Sequence, residues 1–551
     1  MKLRTENGQI FVEAPCFDAR FEGPFLKSFR ERSKGVEFVR ADKPAFPLTL
    51  TYLTGDELLA DKHQGIHVKP LSEFAARVIV RGNDSDRELL IRLDPDTGDL
   101  CVRPAGQSAR RGVMAVRWSI DFALDARLVL PCVNGIQVEV ARPFPGNDRF
   151  PWPYRWNAQL AIAECDGVSL MIHSEDTACK FKALDLRRGE RGATRLGFDS
   201  EQVGPVWDNR TAGGVEWRLN CYDGDWRAPA AHYRDWLRRT YALEDKRRHR
   251  PDWVECINFT AQWTPADLEL LDALALLNPP VRTLIHLSDW RTGKYDVDYP
   301  DYKPTDAARA FVNKANAMGF KVLPHFNYFA CYNQHPLFRE VRDWQIRSVN
   351  RNEPEGWYWP PDTHDYTRMG FIHPGLALWR RTLINNLRAA CRELGAPGAF
   401  IDQTLCTWNT DNGIVENMTT VEGMRQLQEE LVQIDPAAVM AGEGMNEISF
   451  QRECFAQAHI HDGWGKLEER HVQAAHPIGS FLWEGHSRLM GYYHLVPGCT
   501  DQWHGQMELG IEVYNRMGVL PSIVVGGWFA KDKRLFAKDN PLVRRVLDLV
   551  K

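Results

Sequence analysis

The chain has 551 residues, of which 44% are apolar and 26% are charged, and its formal net charge is −5. This composition is typical of a globular protein and excludes bulk disorder. The small net charge and the absence of a Lys/Arg block argue against nucleic acid as a partner. The length exceeds what one hydrophobic core usually organises, so we expect two or three domains.

The beginning of the sequence carries no signal for export. Its N-terminal stretch lacks the apolar segment of a secretory signal peptide. No run of about 18 apolar residues occurs that could cross a membrane. The 12 cysteines are scattered without CxxC pairs, which is typical of reduced thiols. We therefore expect a cytoplasmic protein that does not associate with membranes.

Residues 1–226 are predicted to form an antiparallel β-sandwich. Short alternating or apolar runs such as ARVIVRG, ELLIRLD and IQVEVARP recur, separated by turns rich in Gly, Asp, Asn and Pro. The next stretch, DWRAPAAHYRDWLRRTYAL, reads as a helix and leads into the basic segment EDKRRHRPD. We interpret residues 227–252 as a helical linker.

Residues 253–551 alternate between strand and helix patterns, which predicts a (β/α)₈ TIM-type barrel. Amphipathic helices separate the strands, for example TDAARAFVNKANAMG and GLALWRRTLINNLRAACRELG. The eight strand candidates are WVECINF, VRTLIHLSD, FKVLPHFNYF, GAFIDQ, AAVMAGEG, AQAHIHDGW, IGSFLWEG and LPSIVVGG. The alternative, a doubly wound sheet, is disfavoured because no Gly-rich phosphate loop follows the first strand.

Functional groups of such barrels lie at the carboxyl ends of the strands. Six of the predicted strands end on an acid, a histidine or an aromatic residue, so we predict an active site at this end. Two acids follow the neighbouring strands four and five, Asp402 in GAFIDQT and Glu443 in AGEGMNE. The predicted substrate-contacting residues are Asp289, Trp290, His325, Asn327, Tyr328, Gln403, Glu447, Asp462, Glu484 and His486.

Two facing carboxyl groups indicate cleavage of a glycosidic bond, with a separation of about 5–5.5 Å for retention or about 6.5–9.5 Å for inversion. Asp402, on a rigid strand, is predicted to stay ionised and to attack or stabilise the anomeric carbon. Glu443, between two glycines, is predicted to be the acid/base, with a pKa raised by Asp402. Glu447 competes for this role but lies further from the strand end.

Two other function classes remain as alternatives. A two-metal hydrolase could use histidines and acids at strand ends, but no HxH pair follows strand one and no dense ligand pairs occur, so no metal site is predicted. A carbohydrate-binding protein without activity would not require both acids. A GxSxG nucleophile motif is absent from the sequence.

The segments YPDYKP, KVLPHFNYF, IDQT and AGEGMNE, placed in a sandwich followed by a barrel, resemble the retaining α-glycosidases of glycoside hydrolase family 129. More distantly, the chain is similar to the endo-α-N-acetylgalactosaminidases of family 101. The resemblance implies exo-cleavage of an α-linked GalNAc or galactose-type sugar with retention. It also implies that Asp402 is the nucleophile and Glu443 the acid/base. Some relatives carry calcium, but no DxDxDG loop occurs here, so we expect no required cofactor.

Overall fold

The computed structural model describes fourteen ranges of the chain: 1–39, 46–55, 57–58, 63–141, 148–188, 194–293, 298–327, 329–350, 352–357, 369–404, 407–461, 465–501, 505–526 and 539–550. Two of the predicted site residues, Tyr328 and Asp462, lie outside them.

The first part of the chain folds into antiparallel sheets, as the alternating pattern predicts. In β9, for example, buried and partly exposed side chains alternate along the whole strand, so one face packs into a core. Its strands are β1 Lys2–Glu6, β2 Gln9–Glu13, β3 Phe17–Glu22, β4 Phe25–Glu31, β5 Leu48–Tyr52, β6 Glu57–Leu58, β7 His63–Ser72, β8 Ala75–Gly82, β9 Ser85–Leu93, β10 Leu100–Ser108, β11 Val113–Asp121, β12 Arg127–Leu130, β13 Ile136–Glu139, β14 Asp148–Pro151, β15 Leu160–Cys165, β16 Val168–His173, β17 Lys182–Arg188, β18 Thr194–Glu201, β19 Thr211–Gly213 and β20 Trp217–Asp223.

Three sheets arise from these strands within the described ranges. One has the order β1-β2-β3-β4 and another β14-β17-β18-β11-β5-β6. The largest runs β13-β12-β15-β16-β20-β10-β9-β8-β7, with β19 also paired to β10. The antiparallel β-rich region is thus confirmed, whereas its arrangement as a sandwich and the two boundaries between the three predicted segments stay predictions.

Helices connect this region to a parallel barrel. They are α1 Arg227–Thr240, α2 Leu243–Arg247 and α3 Trp253–Cys256. The prediction that WVECINF is a barrel strand is therefore wrong for all but its last residue, because Trp253–Cys256 is helical and the strand begins at Phe259. A short apolar run has no periodicity that separates a strand from a single helical turn.

Eight parallel strands then form a nearly closed barrel. The order is β30-β29-β28-β27-β23-β22-β21-β31, and a parallel bridge between Met490 and Leu520 joins the two ends. The second-half strands are β21 Phe259–Pro265, β22 Thr283–Asp289, β23 Lys321–Asn327, β24 Ala330–Tyr332, β25 Gly356–Trp357, β26 Met369–Phe371, β27 Gly398–Asp402, β28 Val439–Glu443, β29 Glu453–Gln457, β30 Arg488–Met490 and β31 Ser522–Val524. Strands β24 to β26 form a small separate sheet between barrel strands three and four.

Helices follow most barrel strands. The strands contribute a cluster of buried apolar side chains, which includes Leu284, Leu323, Phe400 and Phe455. The helices are α4 Leu268–Leu277, α5 Asp306–Met318, α6 Phe338–Val341, α7 Ala377–Leu394, α8 Thr420–Glu430, α9 Glu469–Ala474, α10 Ile478–Trp483, α11 Met507–Met517 and α12 Pro541–Leu547. The amphipathic helices expected from TDAARAFVNKANAMG and GLALWRRTLINNLRAACRELG are confirmed as α5 and α7.

The predicted strands six and seven are misplaced. Strand six is β29, Glu453–Gln457, which shares only Ala456 and Gln457 with the predicted segment, so residues 459–461 follow the strand instead of forming it. The segment IGSFLW is the helix α10, and strand seven is β30, Arg488–Met490. Both strands begin with a charged residue, which does not fit the uninterrupted apolar run expected of a buried barrel strand.

In the part of the chain that the structure describes, no helix is both long and apolar enough to span a bilayer. The cysteines of these residues are free thiols, most of them buried. A cytoplasmic location stays a prediction.

Candidate active site

Asp402 and Glu443 end two neighbouring barrel strands on the same side of the sheet. The strands β27 and β28 pair in parallel, with Ile401 opposite Gly442, so the acid that follows each of these residues lies at the carboxyl end. The Asp402 side chain is 5% exposed and that of Glu443 is 14% exposed. The two carboxyl groups are hydrogen-bonded to each other. The predicted pair of facing acids is therefore present in the structure.

The backbone after Asp402 turns sharply to close this arrangement. Gln403 adopts a left-handed conformation with φ 61°, a region that few non-glycine residues adopt and that is found at functional sites. Its N–H donates to Glu443 Oε2 at 3.3 Å. Thr404 Oγ1 donates to the carbonyl oxygen of Glu443, also at 3.3 Å. These bonds tie the loop after strand four to the second acid.

The side chains of Gln403 and Asn327, both predicted to contact substrate, bind each other. Asn327 Nδ2 donates to Gln403 Oε1 at 3.1 Å. Asn327 Oδ1 accepts the backbone N–H groups of Phe329 and Ala330 at 3.2 Å and 3.0 Å. Both residues are at least nine-tenths buried. They hold the loops after strands three and four together beside Asp402.

His459, which the sequence reasoning missed, lies next to Glu443, with 3.4 Å between His459 Nε2 and Glu443 Oε1. Burial is the largest single influence and raises the pKa of Glu443, whereas the hydrogen bond and charge of His459 lower it. Together with the hydrogen bonds from Asp402 and Gln403, they leave the pKa of Glu443 below its ordinary value. The prediction of a raised pKa is wrong for the resting structure.

Behind Asp402 lies a buried histidine pair. His325 Nε2 is 3.9 Å from Asp402 Oδ2, and His286 Nε2 is 3.0 Å from His325 Nδ1. The His325 side chain is only 1% exposed. His325, predicted as a substrate contact, is thus placed behind the acid.

Aromatic rings form a second set of neighbours that the sequence reasoning missed. The ring of Trp263 stacks with Tyr492 at 6.3 Å, and Tyr492 contacts Tyr493 at 3.9 Å. Both tyrosines also lie 6.1 Å from the ring of His459. Burial and the charge of Glu443 raise the pKa of Tyr492 well above its ordinary value. Tyr492 directly follows Gly491 at the end of strand seven, so a correct position for this strand would have revealed it.

The residues predicted at the end of strand two are separated. Asp289 is exposed at the end of β22. Trp290 is fully buried, and its Nε1 donates to the His325 carbonyl at 2.8 Å. Its ring packs against Phe326 at 4.9 Å. Trp290 therefore supports strand three and does not offer a face for stacking on a sugar.

Glu447 is not an open competitor of Glu443. Its carboxylate accepts hydrogen bonds from Trp152 Nε1 at 3.0 Å, from Gln159 N at 3.0 Å and from Gln159 Nε2 at 2.9 Å. It also accepts the Tyr233 hydroxyl. With all these donors it connects the barrel to the β-rich region and to α1. The prediction that Glu447 contacts substrate is therefore corrected: Glu447 is a buried structural residue.

Glu484 and His486 lie at the amino end of the barrel and not at the predicted carboxyl end, because the helix α10 and not a strand precedes them. Glu484 Oε2 accepts from Arg234 at 2.9 Å. His486 Nε2 lies 3.0 Å from Arg250 Nη2, and burial lowers the pKa of His486 to about 2. Both residues precede β30, so they belong to its amino end and are corrected accordingly.

Among the residues that the structure describes, one group of three could hold a metal ion: Asp125, Cys165 and Asp166. These residues lie in the β-rich region, and two of them are exposed. The barrel acids do not belong to the group, so nothing in it bears on their chemistry.

The chain thus has a β-rich region joined to a nearly closed parallel barrel. Two facing carboxyl groups lie at the carboxyl end of this barrel. A family model described as a domain of unknown function, DUF6259, matches residues 215–451. None of the curated proteins matches the chain in sequence.

Several solved structures share this architecture over nearly the whole chain. The ligand-free α-N-acetylgalactosaminidase NagBb from Bifidobacterium bifidum has a TM-score of 0.70 at 14% identity and covers 100% of this chain and 93% of its own. A GH31 family sulfoquinovosidase from E. rectale has a TM-score of 0.57 at 11% identity, with coverages of 100% and 82%. The GH36 α-galactosidase AgaA from Geobacillus stearothermophilus has a TM-score of 0.50 at 10% identity, with coverages of 98% and 86%. At these identities the likeness is one of fold.

Proposed function

We propose that this protein is a retaining glycoside hydrolase that removes a terminal α-linked hexose of the GalNAc or galactose type. The observation that carries this proposal is the hydrogen-bonded pair Asp402 and Glu443 at the carboxyl end of the barrel. The structural neighbours that share the whole fold are glycosidases, and one of them acts on α-linked GalNAc, which supports the same class of substrate.

In this proposal Asp402 is the nucleophile. Its carboxylate forms a bond to the anomeric carbon while the bond to the leaving-group oxygen breaks, and Glu443 gives its proton to that oxygen. Water then attacks the glycosyl ester, Glu443 takes the proton of the water, and the Asp402 carboxylate is released. Two displacements at one carbon retain its configuration.

The direct hydrogen bond between the carboxyl groups supports retention over inversion, because an inverting enzyme needs room for a water molecule between substrate and base. Substrate binding must break this bond, since the sugar enters between the two acids. The pKa of Glu443 then rises, because an ionised Asp402 that no longer donates a hydrogen bond to Glu443 favours the protonated form of Glu443.

The test is a screen of aryl α- and β-glycosides of GalNAc, galactose, glucose and GlcNAc with the purified protein. We expect release from an α-GalNAc or α-galactose compound and none from the β-anomers. Proton NMR of the first-formed sugar should show the α-anomer. A first-formed β-anomer would overturn retention, sugar binding without release would indicate a carbohydrate-binding protein, and activity lost to a chelator would indicate a metal-dependent hydrolase.

A further inference from the structure

A chain of hydrogen bonds leads from strand one to the back of Asp402. The Trp263 N–H donates to His286 Nδ1 at 3.3 Å. Because His286 Nδ1 accepts a hydrogen bond, a neutral His286 carries its proton on Nε2, which lies 3.0 Å from His325 Nδ1. His325 Nδ1 is then an acceptor, so His325 carries its proton on Nε2, which points toward Asp402 Oδ2 at 3.9 Å. The order of donors fixes one tautomer for each ring.

The Trp263 N–H, the first donor in this series of hydrogen bonds, lies at an irregularity in strand one. The pairing of β21 with β22 shifts register between Ala261 and Thr264, as in a β-bulge. Trp263 lies in this bulge with φ 53°, a left-handed conformation that a bulky side chain rarely adopts. Bulges of this kind re-aim groups beside functional sites. Here the bulge contains the N–H that binds His286.

The surroundings keep both histidines neutral. His286 stacks on Phe400 at 3.9 Å, and the ring of Trp263 lies 5.3 Å from His286 and 5.2 Å from His325. Burial lowers the pKa of His286 well below its ordinary range. Burial and the charge of Arg291 lower the pKa of His325 to about 3. A neutral imidazole can present an N–H to a carboxylate without forming an ion pair that would weaken it as a nucleophile.

We propose that His286 and His325 are positioning residues that decide which of the two acids becomes the nucleophile. When substrate separates the carboxyl groups, Asp402 turns as a carboxylate onto the Nε2–H of His325, and the proton of the resting pair passes to Glu443. The 3.9 Å gap then shortens to a hydrogen bond, as catalytic contacts commonly do on substrate binding. Neither histidine gains or loses a proton. This role rests on the proposed function.

Two substitutions at His286 separate positioning from packing. His286→Phe keeps a ring against Phe400 but removes both nitrogen atoms. His286→Gln keeps an acceptor for the Trp263 N–H and a donor for His325 Nδ1. We expect His286→Phe to lower kcat on an aryl α-glycoside roughly a hundredfold, the effect of a small misplacement of a reacting group, with KM near the wild-type value. His286→Gln should retain most of kcat.

The measurements are kcat and KM, thermal melting, and the rate at which a fluorinated α-glycosyl fluoride traps the glycosyl ester, which reports the attack by Asp402. Equal kcat for His286→Phe and the wild type would overturn the positioning role. Equal losses in both variants together with lower melting temperatures would also overturn it, because packing alone would then explain them.

Neutron diffraction of the wild-type protein tests the tautomer without any substrate. Deuterium on Nε2 of His325 is expected, and deuterium on Nδ1 would overturn the proposal. If the wild type releases no aryl glycoside of any kind, the proposed function fails. If it releases one and His286→Phe does so equally fast, only the positioning role fails.

Discussion

The two ends of the barrel both carry acids and histidines, but they arrange them in different ways. At the carboxyl end, Asp402 and Glu443 are hydrogen-bonded to each other. At the amino end, Glu484 pairs with Arg234 and His486 with Arg250. A cavity of about 760 Å³ lies at the amino end as well, yet Arg488, one of the arginines that line it, donates to the backbone carbonyl of Ile257 at 2.6 Å.

Neither a cavity nor a polar strand terminus is therefore sufficient evidence for a site. An arginine beside a carboxylate neutralises the charge of the carboxylate, and the pair then serves as a structural contact. Two neighbouring acids repel each other when both are ionised, which costs stability and is retained at catalytic centres. The predictions that follow test whether chemistry is confined to the carboxyl end.

The largest effect is expected for Asp402→Asn. The amide has nearly the same size but cannot form the glycosyl ester, so hydrolysis of an aryl α-glycoside should fall on the order of 10³-fold or more. The melting temperature should not fall, because the variant removes one of two facing acids. Steady-state kinetics and thermal melting check this. A variant with near-wild-type kcat would remove Asp402 from the chemistry.

Glu443→Gln should show an effect that depends on the leaving group. Loss of a general acid costs about 10²–10⁴-fold when the leaving group needs a proton. Aryl leaving groups whose phenols have a low pKa depart without a proton. The first step with such aryl glycosides should therefore be slowed far less than the first step with alkyl glycosides. A plot of rate against leaving-group pKa should therefore be steeper for the variant. Equal losses for all leaving groups would contradict the acid role.

Much of the fold could be predicted from the sequence, because the relevant patterns are local. The alternation of β9 and the amphipathic face of α7 are visible in single segments. Strands four and five were placed correctly, since each is an apolar run bounded by glycine, and this placed Asp402 and Glu443. The packing of the antiparallel sheets and the domain limits depend on contacts between distant residues, and they stay predictions.

The incorrect prediction of strands six and seven explains why several residues of the site cannot be identified from the sequence pattern. Strand six begins with the buried Glu453 and strand seven with Arg488, and charged residues conflict with the apolar pattern. With these strands misplaced, the sequence pattern puts Glu484 at the carboxyl end and does not indicate His459 or Tyr492. The partners of Glu447 could not be foreseen either, because Trp152 lies almost three hundred residues away in sequence.

Glu447→Gln provides the matched control for Glu443→Gln, since the same change is made four residues further along the chain. The amide would place its NH₂ group against buried donors of Trp152, Gln159 and Tyr233. Leaving a buried donor unsatisfied costs about 1–3 kcal/mol in free energy of unfolding. We expect a lower melting temperature with kcat per folded molecule almost unchanged. The reverse result, lost kcat with full stability, would make Glu447 the acid.

The smallest effect is expected for Glu484→Gln at the amino end. The side chain is 69% exposed, and its bond to Arg234 is a single surface ion pair. Such pairs contribute about 0–1 kcal/mol, further screened by salt. Kinetic constants on the best aryl glycoside should match those of the wild type, and the melting temperature should change little at low salt and not at all at high salt. A clear loss of kcat would mean that the amino end takes part in the reaction, and the contrast between the two ends would then fail.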